Sequence, residues 1–284
     1  MYNNDFLLTW EKSDDELKAV FTVAEALREL RKNNISSKIF DSGLGGLSVL
    51  GEILKNNSFD RIVYFGDTAR VPYGDKDIAT LRQYGKDDID FLVSKGCDVI
   101  IGACGTISST VLSDLVKNYD MKIVGIIKAA ALGAKKATVN NKIGVIATSA
   151  TVNTHVFKKE LSDYEVYEQA CPKFAPMIEK DMIDTLEMDE AIDEYLKGLK
   201  EKEIDTLILG CTHYPLLSEK IDKYFDHKVK LINSGVVLAD ELNNDYCKEP
   251  NVEFYVSGDL DSFKKQAKKF LNIKELRGRY AFYK

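Results

Sequence analysis

Short apolar runs bounded by glycine or by charge alternate with longer stretches whose apolar residues recur every three or four positions. The runs Arg61–Phe65, Asp98–Gly102, Lys122–Ile127, Lys142–Ala147, Thr206–Leu209, Val229–Ile232 and Glu253–Val256 predict strands, with an earlier one at Ile39. Polar periodic stretches such as 77–94 and 189–202 lie between them and predict helices. This alternation predicts an α/β fold with mostly parallel sheets, in which ligands bind beyond the carboxyl ends of strands. Ahead of the first strand, residues 13–32 predict a further helix. Ser13 is placed to cap it, Leu17, Val20, Phe21, Ala24, Leu27 and Leu30 follow helical spacing, and Arg28, Arg31 and Lys32 close it. The plain expectation is that this helix packs on a domain surface.

A length of 284 residues suits one large or two medium domains. Apolar residues at 45% and charged residues at 30% are ordinary for a soluble globular chain. The net charge of -6 argues against nucleic-acid or anionic-membrane partners and means that any carboxylate must be captured locally. The first residues lack a basic start followed by an apolar core, and no apolar run is long enough to span a bilayer. Cys97, Cys104, Cys171, Cys211 and Cys247 are odd in number and widely spaced, which predicts free thiols in a reducing, cytoplasmic compartment. No CxxC pair occurs, and His155, His213 and His227 show no zinc-ligand spacing, so no structural metal is expected.

Two of these cysteines share a context. Val99-Ile-Ile-Gly-Ala-Cys104-Gly-Thr106 and Thr206-Leu-Ile-Leu-Gly-Cys211-Thr-His213 each run from a buried strand to a thiol, with a hydroxyl residue within two positions. A thiol there faces the start of the next helix, whose free N–H groups lower thiol pKa values. If the two strand ends face each other, one thiol can take a proton from carbon while the other delivers one to the opposite face, which is the minimum apparatus for inverting a stereocentre without a cofactor. The paired half-motifs hint at two domains of similar local architecture. Cys211 and His213 are also close enough for a thiolate–imidazolium pair, which serves hydrolysis as well as proton transfer.

Other segments carry weaker signals. Asp41-Ser42-Gly43-Leu44-Gly45-Gly46 is a glycine-rich turn whose spacing does not match a dinucleotide fingerprint; Asp41 at a strand end is placed to orient a neighbouring thiol. The loop Asp67–Gly74 reads equally well as a pocket wall through Tyr73 and Gly74 or as a connector. Thr148-Ser149-Ala150-Thr151 either binds a carboxylate or, more commonly, caps a helix. Cys171 reads as a buried, passive thiol and His155 as a helix-surface residue.

Taken in order, FDSGLGGLSVL (40–50), YFGDTARVPYG (64–74), GACGT (102–106), GVIATSATV (144–152), ACPKFAPMIE (170–179), LGCTHYPLL (209–217), INSG (232–235) and SGD (257–259) resemble the glutamate racemases of the aspartate/glutamate racemase superfamily. The resemblance implies two similar α/β domains with mostly parallel sheets and an active site in the interdomain cleft. We place an N-terminal helical extension at 1–35, a first domain at 36–127 plus 237–284, and a second at 128–236. It implies interconversion of L- and D-glutamate with no cofactor and no metal, supplying D-glutamate for peptidoglycan and so for cell shape. By motif match Cys104 and Cys211 are the catalytic bases, Asp41 assists Cys104, and His213 with Glu179 assists Cys211. Ser42, Tyr73, Gly74, Gly105, Thr106, Thr148, Thr151 and Thr212 are the implied substrate contacts. The implied partner is a small-molecule acid, with neither nucleic acid nor membrane; a homodimer stays open.

One position departs from the pattern: Gly105 stands where the family reads asparagine. The expectation is a lost amide contact, worth roughly 1.5–3 kcal/mol if nothing replaces it, and open space beside the cysteine. That keeps a second reading alive, a related racemase, isomerase or decarboxylase acting on another acid. A binding protein descended from a racemase, or a Cys–His hydrolase, fits the two cysteines less well.

Overall fold

The computed structural model describes residues 37–55, 59, 61–96, 99–242, 251–271 and 279–282. The helix expected at 13–32, together with Cys97 and Cys247, lies outside the described residues. The chain runs β1 (Ser37–Asp41), α1 (Gly46–Lys55), β2 (Arg61–Gly66), α2 (Ile78–Ser94), β3 (Val99–Gly102), α3 (Gly105–Thr110), α4 (Leu112–Leu115) and β4 (Lys122–Gly125). It continues through α5 (Ile127–Ala137), β5 (Lys142–Ala147), α6 (Ser149–Thr154), α7 (Val156–Glu160), β6 (Glu165–Ala170), α8 (Phe174–Glu179), α9 (Leu186–Glu201) and β7 (Thr206–Leu209). A 3-10 turn (Tyr214–Leu217) follows, then α10 (Ser218–Tyr224), β8 (Lys230–Asn233), α11 (Ser234–Leu242), β9 (Asn251–Val256), α12 (Leu260–Phe270) and β10 (Arg279–Phe282).

These strands form two sheets, ordered β10-β9-β2-β1-β3-β4 and β6-β5-β7-β8, and every described pair is parallel. The α/β class and the parallel sheets are those expected from the alternation, and their number, two, is the one that the paired half-motifs hinted at and the resemblance implied. Central strands β2, β3, β5 and β7 are buried almost end to end, as strands covered by helices on both faces must be. Two strands escape the sequence reading. β6 is a half-exposed edge of the run Glu-Val-Tyr-Glu-Gln-Ala, with no apolar stretch to reveal it, and β10 lies beyond the last apolar run. The strand expected to reach Ile127 stops at Gly125, because Ile127 opens α5.

The order β2-β1-β3-β4 in one sheet repeats as β6-β5-β7-β8 in the other. In each, the chain leaves the first strand to one side and then returns to the other, creating a switch point between β1 and β3 and between β5 and β7. Ligand crevices open at such points, beyond the carboxyl strand ends. Cys104 follows β3 by two residues and Cys211 follows β7 by two, so each thiol sits at its own sheet's switch point. Helix α11 packs against α1 under the first sheet and α5 beside the second, and α3 packs against α6. No described helix is long and apolar enough to cross a membrane.

Candidate active site

At the first switch point, Asp41 ends β1 fully buried. Its carboxylate accepts from the Gly43 N–H at 3.0 Å and from the Thr212 hydroxyl at 3.3 Å. Tyr64 steadies the same turn by donating its hydroxyl to the Gly43 carbonyl at 2.8 Å. Cys104 caps the start of α3, buried beside this turn. Burial pushes its thiol up to about 12, the nearby Asp41 charge adds to that, and the Ile107 N–H and Ser42 hydroxyl oppose it without prevailing. The expectation that a helix start lowers this thiol is therefore reversed: α3 has only six residues, and desolvation outweighs it.

At the second switch point, Cys211 Sγ lies 3.8 Å from His213 Nδ1. The other ring nitrogen, Nε2, is 2.9 Å from Glu179 Oε1 at the end of α8. Burial works to lower the His213 pKa, but the hydrogen bonds and charges of Cys211 and Glu179 push it up to about 10, so the imidazole is held protonated. Asp41 is itself raised by burial, with His213's charge the first of the forces opposing that.

The two switch points meet. A methyl group on Gly45 would come within 2.2 Å of the Thr212 hydroxyl and 2.6 Å of His213 Nδ1, so only glycine lets this turn dock there. Thr106 and Thr148 share a hydrogen bond at 3.0 Å, and Ser109 donates to Thr151 at 3.0 Å. Gly74 lies against Thr148, and its carbonyl accepts from the Ala150 N–H at 3.3 Å. Thr148 also caps α6, so both roles weighed for the hydroxyl cluster are open to it. An open groove of about 700 Å³ lined by Asp205, Asp222, His227 and Lys230 lies at the amino ends of β7 and β8, away from all these residues.

This arrangement agrees with three comparisons. The family model for Asp/Glu/hydantoin racemases matches residues 60–242. The chain belongs to that family. A glutamate racemase of Hydrogenobaculum is 41% identical over 216 residues, covering 75% of this chain and 83% of the relative. The crystal structure of glutamate racemase isoform RacE1 from Bacillus anthracis superposes with a TM-score of 0.82 at 30% identity, over 88% of this chain and 97% of that one. The glutamate racemase of Francisella tularensis, solved in complex with D-glutamate, gives a TM-score of 0.78 at 31% identity, over 88% and 98%.

As an amino-acid racemase, the chain gathers at one junction most of the residues singled out in its sequence: Asp41, Ser42, Cys104, Gly105, Thr106, Thr148, Thr151, Glu179, Cys211, Thr212 and His213. Tyr73 differs in detail. Its hydroxyl is turned inward to Asp67 and to Asp88, leaving the main chain at Gly74 to face Thr148. Gly105 overturns an expectation. The space beside it is not open: an added methyl would meet the Gly210 carbonyl oxygen at 2.4 Å and the Cys211 α-carbon at 3.8 Å. Cys171 is fully buried, as expected; His155 is exposed and paired with Glu168 at 2.7 Å, but it sits in the left-handed turn between α6 and α7 rather than on a helix face.

Sequence reasoning missed several supports. Ser48 donates to the Thr212 carbonyl at 2.7 Å across the junction. Asp67 and Asp88 are fully buried around Arg70, and Ser257 donates to Asp67 at 2.6 Å. Phe270 lies edge-on to His213. Asp67, Arg70 and Ser257 fall inside motifs quoted above, so a search for charged and hydroxyl residues within them would have found those three. Ser48 also falls inside a quoted motif (40–50), whereas nothing local marks Asp88 or Phe270.

Proposed function

We propose that this racemase interconverts L- and D-glutamate by two-base proton transfer between Cys104 and Cys211, with no cofactor. The supporting observation is that the two thiols, each at the switch point of a sheet of the same strand order, lie on turns so close that Gly105 touches the Gly210–Cys211 backbone. The curated relatives named glutamate racemases support the choice of substrate.

In the resting state Cys104 holds its proton and is the acid, while Cys211, 3.8 Å from Nδ1 of the protonated His213, is the partner base. An α-proton taken by one sulfur is replaced from the other, and the carbanion between them inverts. After one turnover the two sulfurs have exchanged protonation states, as reversibility requires. Negative charge on the substrate carboxylate and the carbanion falls to the strand-end N–H groups and to the hydroxyls of Ser42, Thr106, Thr148, Thr151 and Thr212. Asp41 assists Cys104 through its charge rather than by a direct bond, its hydrogen bonds going to Gly43 and Thr212. In the cell this activity supplies D-glutamate for peptidoglycan from the cytoplasm.

The test is a chiral assay in deuterated water. Wild type should racemise glutamate and incorporate deuterium at Cα. Cys104→Ser and Cys211→Ser should each lose at least about 10²–10⁴-fold in rate. Full activity in both variants sinks the scheme. Racemisation of another acid in preference to glutamate would keep the mechanism and overturn the substrate.

A further inference from the structure

Helix α12 belongs to the first domain by its packing. Phe263, Ala267 and Phe270 recur at helical spacing and form its buried face. Phe263 is in the core of that domain, its ring 6.1 Å from both Tyr64 and Phe254. Seven residues on, the same stripe leaves that core. The ring of Phe270 sits 5.7 Å from the imidazole of His213, at 85°, in an edge-on contact. His213 belongs to the other domain, on the turn after β7. The preceding residue, Lys269, pairs with Asp181, two positions beyond Glu179. The last turn of α12 therefore reaches both the histidine and the segment that carries its carboxylate partner.

The histidine needs such a hold. Its ring must point Nδ1 at Cys211 and Nε2 at Glu179 together, and it turns about two side-chain bonds. The two polar partners fix the line through the nitrogens. They act only at the nitrogens, the sulfur contact being long at 3.8 Å, and a neighbour packed edge-on limits the motion that such a contact still permits.

We propose that Phe270 is a positioning residue for His213, so that α12 of one domain sets the orientation of the acid–base partner of Cys211 in the other. This rests on the two-base reading for its catalytic consequence but not for its structural one. The titratable groups around the ring are Cys211 on its own turn, Glu179 on α8 and Asp41 at the end of β1; α12 contributes the phenyl edge, Lys269 being engaged with Asp181.

The experiment uses the full chain with Phe270→Ala, Phe270→Leu and the ring-retaining Phe270→Tyr, each checked for folding by its melting temperature. The first readout is independent of activity: the His213 imidazole is titrated by NMR of 15N-histidine-labelled protein, assigned with His213→Gln. In Phe270→Ala the protonated form should be lost about one pH unit lower than in wild type, with Phe270→Tyr close to wild type. The second is kinetic: kcat should fall about tenfold in Phe270→Ala with KM within about twofold, and Phe270→Tyr should restore most of it. If Phe270→Ala does not fold, Phe270→Leu carries both readouts. A folded Phe270→Ala or Phe270→Leu whose His213 titration and kcat match wild type overturns the proposal. Wild type that titrates as expected but moves no Cα hydrogen overturns the two-base reading instead and leaves the contact standing.

Discussion

His213 makes the site sensitive to alkali, and the sign follows from its neighbours. Its folded pKa of about 10 stands above the ordinary 6.5, so the fold prefers the protonated ring. That contribution is fully present below about pH 6.5 and is lost as pH rises through about 10, on the order of a few kcal/mol across the window. Cys104 acts in the same direction at higher pH, because a thiol raised from 9.0 to about 12 keeps in the fold a proton that the unfolded chain releases. Urea unfolding at pH 6, 8 and 10 should show stability falling, and His213→Gln should flatten the fall between pH 6.5 and 10. An equal slope in that variant would mean that the charge on this ring does not stabilise the fold. The positions of both thiols and of His213 were legible because each follows an apolar run ending in a turn. Glu179 was legible only through resemblance, since a carboxylate in a helix ordinarily faces solvent. Gly105 was misread for a physical reason: whether a missing side chain leaves a hole depends on what lies opposite, and Gly210 is remote in the sequence.

At the scale of an element, the connection from β2 to α2 shows how a loop that read equally well as a pocket wall or a connector is made rigid. Arg70 forks between three carboxylates: Asp67, Asp87 at 2.8 Å and Asp88 at 2.9 Å. Asp67 and Asp88 are fully buried, and burial together with the Asp67 charge pushes Asp88 well above the ordinary carboxylate range. Arg70→Ala would leave two buried acids without their cation, which costs about 3–5 kcal/mol. Arg70→Lys should recover only part, since an ammonium cannot reproduce the fork. Urea melts check this, and a loss under about 0.5 kcal/mol for Arg70→Ala would show that the acids are satisfied without it. The variant should also raise KM, because this network holds Gly74 against Thr148. Helices and central strands were legible from periodicity and apolar runs. The network was not, because α2 returns Asp87 and Asp88 to the loop only after the chain has folded.

At the scale of the molecule, the contact between the two domains and the reactive junction are one surface. Gly45 against Thr212 and His213, Thr106 with Thr148, Ser109 with Thr151, and Gly105 against Gly210 all cross between the sheets beside the two thiols. On the proposed reading, substrate binds among these contacts and must supply the equivalent of any that it parts. Bound glutamate should therefore stabilise the chain, by about 2.7 kcal/mol at a hundred times its Kd. Ser48 offers a clean probe of closure, for it lies on α1, outside the expected substrate contacts, and its hydroxyl donates to the Thr212 carbonyl of the facing domain at 2.7 Å. Ser48→Ala removes one hydrogen bond worth about 1 kcal/mol from the closed form only. Stability without ligand should drop by about that amount, and kcat/KM for racemisation by about fivefold, because in the proposed two-base scheme the junction sets the distance between the thiols. If stability drops and kcat/KM does not, the bond merely holds the domains together. If both are unchanged, the Thr212 carbonyl finds water as readily as Ser48, and the junction closes through its glycine contacts and threonine hydroxyls alone.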